Sequence, residues 1–230
     1  MQGNSVREVW FIRHAESVAN AGARTREAPT YPLSELGFRQ AEQFAAALPA
    51  EPDLIVVSPY VRAQQTADFA IRRFPNARIE EWPVQEVQYL DPALCVHTTQ
   101  DERNALADAY WERCDPHHAA PDAESFTGFI ARAADALHRL SKRSEKMTFI
   151  FCHGRMMDAL AWLNVSPPPV VDAAAMRRFS KFMHGFTVPN CSVLPLHFHR
   201  DGRRSLGALW VPDGVESESA GRDRIGQEGV

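Results

Sequence analysis

Three short apolar runs, each ending abruptly at polar residues, most constrain the fold of this 230-residue chain; they are residues 8–12, 53–57 and 147–152. Short runs without polar alternation are typical of strands that are buried on both faces. Between them lie amphipathic helical patterns at 34–48, 59–74 and 126–140. Because such strands alternate with such helices, the pattern predicts an α/β fold with a mainly parallel central sheet, covered by helices on both faces.

Local signals refine this prediction at the element ends. Ser34 is predicted to cap the first helix, and Ser58-Pro59 predicts a cap residue before a first-turn proline. Two late strands are predicted at 192–199 and 205–211, with Asp201-Gly202 as the hairpin turn between them.

The length of the chain favours a single domain, which we place at residues 1–212. Periodicity is poor and prolines recur at about 81–125, although 101–111 could be helical, so we interpret this stretch as an insertion over one end of the sheet. Residues 213–230 are rich in Gly, Ser, Glu, Asp and Arg, which predicts a disordered tail.

Charge and composition exclude several classes of partner. Lys and Arg number 25 against 29 Asp and Glu, a net charge of -4, so no broad positive field would draw the protein to nucleic acid or to anionic lipid. No apolar run approaches the roughly 18 residues that span a bilayer, and the start of the chain has no signal-peptide core. The four cysteines are widely spaced and are predicted to be reduced thiols. We therefore predict a cytoplasmic protein with no nucleic-acid or membrane partner.

Basic side chains follow all three predicted strands. Arg13 and His14 follow the first, Arg62 follows the second and His153 follows the third. Ligands of open α/β sheets bind beyond the carboxyl ends of the strands, so neighbouring strands would bring these groups together. Two arginines and two histidines form a pocket for an anion, and the arginine fork suits phosphate oxygens.

Four segments, in the same order, resemble the motifs of one family. RHAESVAN at 13–20 resembles its R-H-[GA]-E-S/T signature, and PLSELGFRQA at 32–41 resembles its P-L-T-x-x-G-x-x-Q-A segment. SPYVRAQQTA at 58–67 resembles S-x-x-x-R-A-x-Q-T-A, and Cys152-His153-Gly154 resembles the late H-G. The chain thus resembles the phosphatase branch of the histidine phosphatase superfamily, also called the phosphoglycerate mutase-like family. The resemblance implies a three-layer α/β/α sandwich, with the insertion over the active-site end, and a phosphohistidine mechanism that needs no metal or other cofactor.

The chemistry of these residues agrees with such a mechanism. Neutral imidazole is a good nucleophile, and His14 would direct one nitrogen at phosphorus if its other nitrogen donates to a backbone carbonyl. Arg13, Arg62 and His153 would stabilise charge on the transferring phosphoryl group.

Further site residues follow from the resemblance alone. The family's acid is a glutamate after a middle strand, which implies Glu86, with Glu80 and Glu81 as nearby competitors. Asn20 would add a neutral donor to the phosphate. Glu124 resembles a G-E-S element that lines the site.

We therefore predict a histidine acid phosphatase-like phosphomonoesterase, a metal-independent hydrolase acting on a small phosphorylated metabolite. A phosphopeptide substrate remains open, and so do a monomer and a homodimer. The alternatives are phosphoglycerate mutase-type transfer, although the 20–33 loop lacks an F-T-G-W segment, and a non-catalytic module that binds phosphorylated ligands. His197 and His199 share a strand face but have no acidic or cysteine partner at ligand-like spacing, so no metal site is predicted. Candidates for the pocket rim lie in the insertion: Tyr89, His97, Arg103, Tyr110, Trp111 and Arg113.

Overall fold

A six-stranded sheet forms the centre of the computed structural model, which describes residues 6–24 and 26–216. Its strands are β1 (Arg7–Arg13), β2 (Leu54–Val57), β3 (Arg78–Glu81), β4 (Met147–Cys152), β5 (Val193–Phe198) and β6 (Arg204–Leu206). The spatial order is β3-β2-β4-β1-β5-β6: the first four strands run parallel to one another, β5 runs antiparallel to β1, and β6 runs antiparallel to β5. The predicted mainly parallel sheet is confirmed.

Helices cover both faces of this sheet, because the side chains of each strand alternate between the faces. The helices are α1 (Glu35–Ala47), α2 (Val61–Arg73), α3 (Pro92–Cys95), α4 (Gln100–Arg113), α5 (Phe126–Ser141), α6 (Gly154–Val165) and α7 (Ala173–Gly185). Trp10 and Ile12 of β1 pack in one core cluster with α1 and α2. Val9 and Phe11 pack in the other, with α5, α6 and α7. This is the predicted three-layer α/β/α sandwich.

The segment between β3 and α5 contains α3 and α4 and joins the second core cluster. Tyr110 of α4 is buried there, and the ring of Trp111 packs edge-on against Phe126 of α5 at 6.1 Å between centroids. Helix α4 begins with a reciprocal cap, in which Thr99 accepts from the backbone N–H of Glu102 and the Glu102 carboxylate accepts from that of Thr99.

Several element ends differ from the prediction. Helix α2 begins at Val61 rather than at Pro59, and Ser58 does not cap it. The Ser58 hydroxyl bonds His153 and accepts from the backbone N–H of Tyr60, the residue before the helix. Strand β6 is shorter than predicted and ends at Leu206, although Trp210 still pairs with Val193 in an isolated bridge.

The last described residue, Glu216, lies near the start of the predicted tail and packs on α1. The side chain of Glu216 accepts from Arg39 and from Gln43, and its backbone oxygen accepts from Gln40 at 2.9 Å. The remainder of the predicted tail, residues 217–230, lies outside the described residues.

Helix α1 lies unusually close to the loop that follows β1, and Gly37 makes this approach possible. Ser34 caps the helix as predicted, accepting from the Gly37 N–H at 3.0 Å and donating to the Glu16 carboxylate at 2.6 Å. A Cβ atom on Gly37 would lie 1.9 Å from the backbone oxygen of Glu16, which is an impossible contact.

We therefore expect Gly37→Ala to lower the free energy of unfolding by about 1–3 kcal/mol or more, because α1 must move away from the loop. Gly185→Ala is the matched control, since a Cβ atom there meets nothing within 4 Å and alanine favours a helix. Urea unfolding of both variants measures the difference. Equal stability of the two variants would contradict the close-approach explanation.

Candidate active site

The register of three parallel strands brings the polar residues of the carboxyl edge together. Arg13 pairs with Cys152 across β1 and β4, and the ladder continues beyond the strands. The N–H of His14 donates to the Cys152 oxygen at 3.1 Å, and the N–H of Ser58 donates to the Phe151 oxygen at 3.0 Å. Because these bonds hold the start of each loop, His14, Ser58 and His153 meet at one point of the edge.

The imidazole of His14 is buried and has both nitrogens occupied. Nδ1 donates to the carbonyl oxygen of Ala15 at 2.7 Å, which places the proton on that nitrogen. Nε2 is therefore unprotonated and accepts from Nε of Arg62 at 3.0 Å. Asn190 donates its amide N–H to the backbone oxygen of His14 at 2.7 Å. The ring is held in one orientation with the lone pair of Nε2 facing Arg62.

Arg62 is the second residue of α2 and is itself buried. Its NH1 donates to the backbone oxygen of Ala28 at 2.8 Å, and its guanidinium lies 5.0 Å from the ring centroid of Tyr60. Burial lowers the pKa of Arg62 to about 10, against the raising effect of the Glu86 charge. The group stays cationic at neutral pH and adds to the positive end of the α2 dipole.

His153 precedes α6 and is fully buried beside His14, with 5.0 Å between the ring centroids. Its Nε2 lies 2.8 Å from Oγ of Ser58, and its buried Nδ1 has no hydrogen-bond partner in the part of the chain that the structure describes. Burial, followed by the charge of Arg62, lowers the pKa of both imidazoles well below the usual value. Both rings are therefore neutral at pH 7.

Arg13 lies at the end of β1, against the start of α6. Its NH1 donates to the backbone oxygen of Val188, and its Nε lies 3.6 Å from where a Cβ atom on Gly154 would be. The geometry thus brings together all four basic residues that the sequence analysis assigned to the anion pocket.

Glu86 lies in the loop after β3 and reaches the same edge. Its Oε1 accepts from the backbone N–H of Val87 at 3.1 Å, and its Oε2 accepts from that of Arg155 at 3.2 Å. The carboxylate thereby takes one of the free N–H groups at the start of α6, next to His153. Glu80 bonds Arg143 and Trp82 on the edge strand instead, and Glu81 is exposed there.

Glu124 was predicted to line the site, and in the structure its carboxylate is bonded to Arg132. It forms a two-pronged pair with Arg132, with 2.9 Å and 2.6 Å between the bonded atoms. NH1 of Arg132 donates to the backbone oxygens of Pro83 and Gln85 at 2.9 and 2.8 Å. Glu124 therefore holds the arginine that holds the Glu86 loop.

Asn20 is exposed, and its amide oxygen is occupied. That oxygen accepts from the N–H and the hydroxyl of Ser17 at 3.1 and 2.9 Å, which closes the turn after β1. Only its NH2 group remains to serve as the neutral donor that the resemblance implies. Cys152 is buried, and burial raises the pKa of its thiol, so it packs as a neutral group.

Ser58, predicted as a helix cap, holds His153 instead. Two further contacts of this region were not predicted: Thr66 accepts from the backbone N–H of Ala15 at 3.0 Å, and Arg155 pairs with Asp158 at 3.0 Å. The spacing of the last pair, three residues along a helix, is the one signal that could have revealed it.

The predicted rim residues divide between structural and exposed positions. The rings of Tyr89, Tyr110 and Trp111 pack against one another in tilted and edge-on contacts, and Arg103 is buried against Thr98. Arg113 contacts His118 on the surface, and the backbone oxygen of His97 accepts from Arg24 at 2.7 Å.

Other candidate regions lie elsewhere. Within residues 6–24 and 26–216, no group of three or more His, Cys, Asp or Glu is arranged to hold a metal ion. No helix in the same ranges is long and apolar enough to cross a membrane. A groove of about 740 Å³ is lined by Arg7 and Phe198, at the opposite end of β1 from His14. None of the four basic site residues and neither Glu86 nor Glu124 lines it.

Comparisons with known proteins identify the family and the fold. A family model for the histidine phosphatase superfamily (branch 1) matches residues 9–208. An adenosylcobalamin/alpha-ribazole phosphatase from Salmonella typhi is 32% identical over 143 residues, which cover 60% of this chain and 68% of the relative.

Solved structures share the fold. An alpha-ribazole phosphatase from Shigella flexneri superposes with a TM-score of 0.69 at 21% identity, covering 88% of this chain and 95% of the other. A mycobacterial glucosyl-3-phosphoglycerate phosphatase gives a TM-score of 0.67 at 22% identity, covering 88% and 98%.

The buried histidines predict a pH dependence of stability. Because the folded pKa of His14 and of His153 lies below that of the unfolded chain, the unfolded chain takes up protons first as the pH falls below about 6.5. The free energy of unfolding should fall with acidification, and each histidine should contribute up to about 1.4 kcal/mol per pH unit.

The slope of the free energy of unfolding against pH should fall in His14→Gln by the contribution of about one proton. Urea unfolding between pH 5 and pH 7.5 measures this slope. His138→Gln, at an exposed position of α5, is the control and should leave the slope unchanged. An unchanged slope in His14→Gln would mean that the His14 pKa is not lowered in the folded protein.

Proposed function

Because the chain belongs to the histidine phosphatase superfamily (branch 1), we propose that it is a phosphatase that hydrolyses phosphomonoesters through a phosphohistidine formed on His14. The observation that carries the proposal is the fixed His14 ring, with Nδ1 donating to Ala15 and Nε2 unprotonated. A ring held in this tautomer presents a lone pair without having to lose a proton first.

Arg62 would both bind the phosphoryl group and free the nucleophile. Its Nε–H faces the lone pair of His14 Nε2, at 3.0 Å. A phosphate oxygen is charged and is a stronger acceptor than neutral imidazole, so it would take this N–H. Nε2 would then face phosphorus, in line with the leaving oxygen.

Arg13 and His153 complete the set of groups around the phosphoryl oxygens. Arg13 is cationic, and the buried Nδ1 of His153 lacks a partner in the described part of the chain. With Nε2 accepting from the Ser58 hydroxyl, Nδ1 of the neutral ring carries the proton and can donate to an oxygen. Donors fixed in a buried site stabilise the charge of the transition state without reorganising.

Glu86 would supply and recover the proton. In the first step the N–P bond to His14 forms, the ester P–O bond breaks, and Glu86 protonates the leaving alcohol. In the second step water attacks phosphorus, the N–P bond breaks, and Glu86 accepts the proton of that water, releasing inorganic phosphate. Two backbone N–H groups hold the carboxylate, which supports a role that requires one fixed position.

The first test is phosphate release from p-nitrophenyl phosphate and a panel of sugar phosphates, nucleotides and phosphoglycerates, with EDTA present. The wild type should turn over in EDTA, and His14→Ala should lose all measurable turnover because no nucleophile remains. His138→Ala is the histidine control and should keep wild-type activity. Phosphorylated ligands that bind to the folded wild type without being hydrolysed would instead indicate a binding module.

A second test concerns the acid. Glu86→Gln cannot donate a proton, so we expect kcat to fall by about 10² to 10⁴ for an alkyl ester such as glycerol 3-phosphate. The fall should be much smaller for p-nitrophenyl phosphate, because p-nitrophenolate leaves without a proton. Steady-state kinetics on both esters measure the two ratios, and equal losses would exclude Glu86 as the acid.

A further inference from the structure

A buried carboxylate lies one turn into α6, where nothing in the proposed chemistry requires one. Asp158 is 1% exposed, and the adjacent helix residues Met157 and Ala159 are fully buried. Its Oδ2 accepts from NH1 of Arg155 at 3.0 Å, whereas its buried Oδ1 has no hydrogen-bond partner among the described residues. Burial raises the pKa of Asp158 to about 7, in spite of the neighbouring Arg155 charge. The helix thus holds an acid at a place where burial disfavours its charge.

Arg155 differs from its partner in being partly open to solvent. Its side chain is 43% exposed, against 2% for that of Asp158. Asp158 uses NH1 alone, and within the described residues Nε and NH2 make no hydrogen bond. One edge of the guanidinium is therefore anchored, and the Nε–NH2 edge remains able to bind a ligand. This edge is a planar fork that matches two oxygens of one oxyanion.

The position of Arg155 relates it to the leaving group. Its own backbone N–H donates to the Glu86 carboxylate at 3.2 Å, and its charge counteracts the burial that raises the pKa of Tyr89. The guanidinium thus lies near the acid and the aromatic cluster of the insertion. In the proposed reaction the acid contacts the leaving alcohol, so Arg155 lies on the alcohol side of the pocket, away from the phosphoryl group that is transferred to His14.

We propose that Arg155, anchored by Asp158, binds a second anionic group on the alcohol part of the substrate. The inference rests on the proposed function and narrows it to phosphomonoesters that carry a carboxylate or a second phosphate. Either group presents the paired oxygens that the open Nε–NH2 edge accepts. Asp158 acts as a positioning residue, because it restricts the long side chain to one direction before the substrate arrives.

Two matched substrate pairs test this proposal. 3-Phosphoglycerate and glycerol 3-phosphate differ by a carboxylate in place of a hydroxymethyl group, and fructose 1,6-bisphosphate and fructose 6-phosphate differ by one phosphate. We expect kcat/KM to favour the anionic member of at least one pair by about tenfold or more in the wild type, which is the usual range for a charged hydrogen-bonded contact.

Substitutions of Arg155 and Asp158 then test whether these residues cause the preference. The measured ratio is kcat/KM of the substrate with the second anionic group divided by kcat/KM of its matched partner. Arg155→Met should bring this ratio close to one, mainly through a higher KM for the substrate with the second anionic group. Asp158→Asn should reduce the ratio partially, because the charge of Arg155 remains but its anchor is weaker. Arg178→Met removes a charge from an exposed position of α7 and should leave the ratio unchanged. Arg155→Met/Asp158→Asn avoids leaving a buried carboxylate unpaired, so it keeps the test valid if Arg155→Met fails to fold.

The outcomes are distinct. A wild type that hydrolyses p-nitrophenyl phosphate but does not discriminate within either pair overturns the role of Arg155 alone. Equal losses for both members of a pair in the Arg155 variants also overturn it, because they indicate a structural role. No hydrolysis of any ester by the folded wild type overturns the proposed function as well.

Discussion

The parallel pairing of β1, β4 and β2 is the constraint on which the site depends. One register aligns Arg13 with Cys152 and Val57 with Phe151, so three loops leave the sheet at the same level. Backbone bonds from His14 and Ser58 to β4 extend this ladder by one residue into the loops. The strand register therefore brings the ring centroids of His14 and His153 to 5.0 Å from each other. No contact between their two loops is needed to place them. A shift of one residue in this register would turn every strand side chain to the other face and separate the site.

Burial then determines the chemistry of the residues placed there. Two neutral imidazoles and two arginines share a small buried volume, and the same desolvation that lowers both imidazole pKa values also lowers that of Arg62. The carboxylates near this pocket are already bonded: Glu86, whose charge raises the pKa of Arg62, accepts at the start of α6, and Glu124 is paired with Arg132. An incoming phosphate would add a counter-charge next to both arginines. The arrangement therefore favours binding of a dianion over binding of a neutral ligand.

The sequence predicted the elements whose pattern depends on burial alone. β1, β2 and β4 are covered on both faces, so they read as continuous apolar runs, and α1, α2 and α5 have one apolar stripe each. Strand β3 was missed because it lies at the sheet edge and its side chains are mostly exposed, which removes the apolar signal. Helix α6 was missed for the opposite reason: it is buried on most of its surface and shows no stripe. Ser58 was misassigned because a hydroxyl before a helix can cap it or bond a distant side chain, and only the fold brings His153 within reach.

Stability alone is a weak reason for the Arg155–Asp158 pair. Replacing a buried ion pair by apolar side chains of similar volume is commonly neutral or stabilising, since the desolvation of both charges offsets their attraction. Here the imbalance is larger than usual, because Asp158 is buried while Arg155 is nearly half exposed, and the pKa of the acid rises to about 7 instead of falling. A helix that packs methionine, leucine and tryptophan on the same turns could fill that position with an apolar residue. What an apolar residue could not do is hold the Arg155 guanidinium through NH1 while its Nε and NH2 make no hydrogen bond among the described residues.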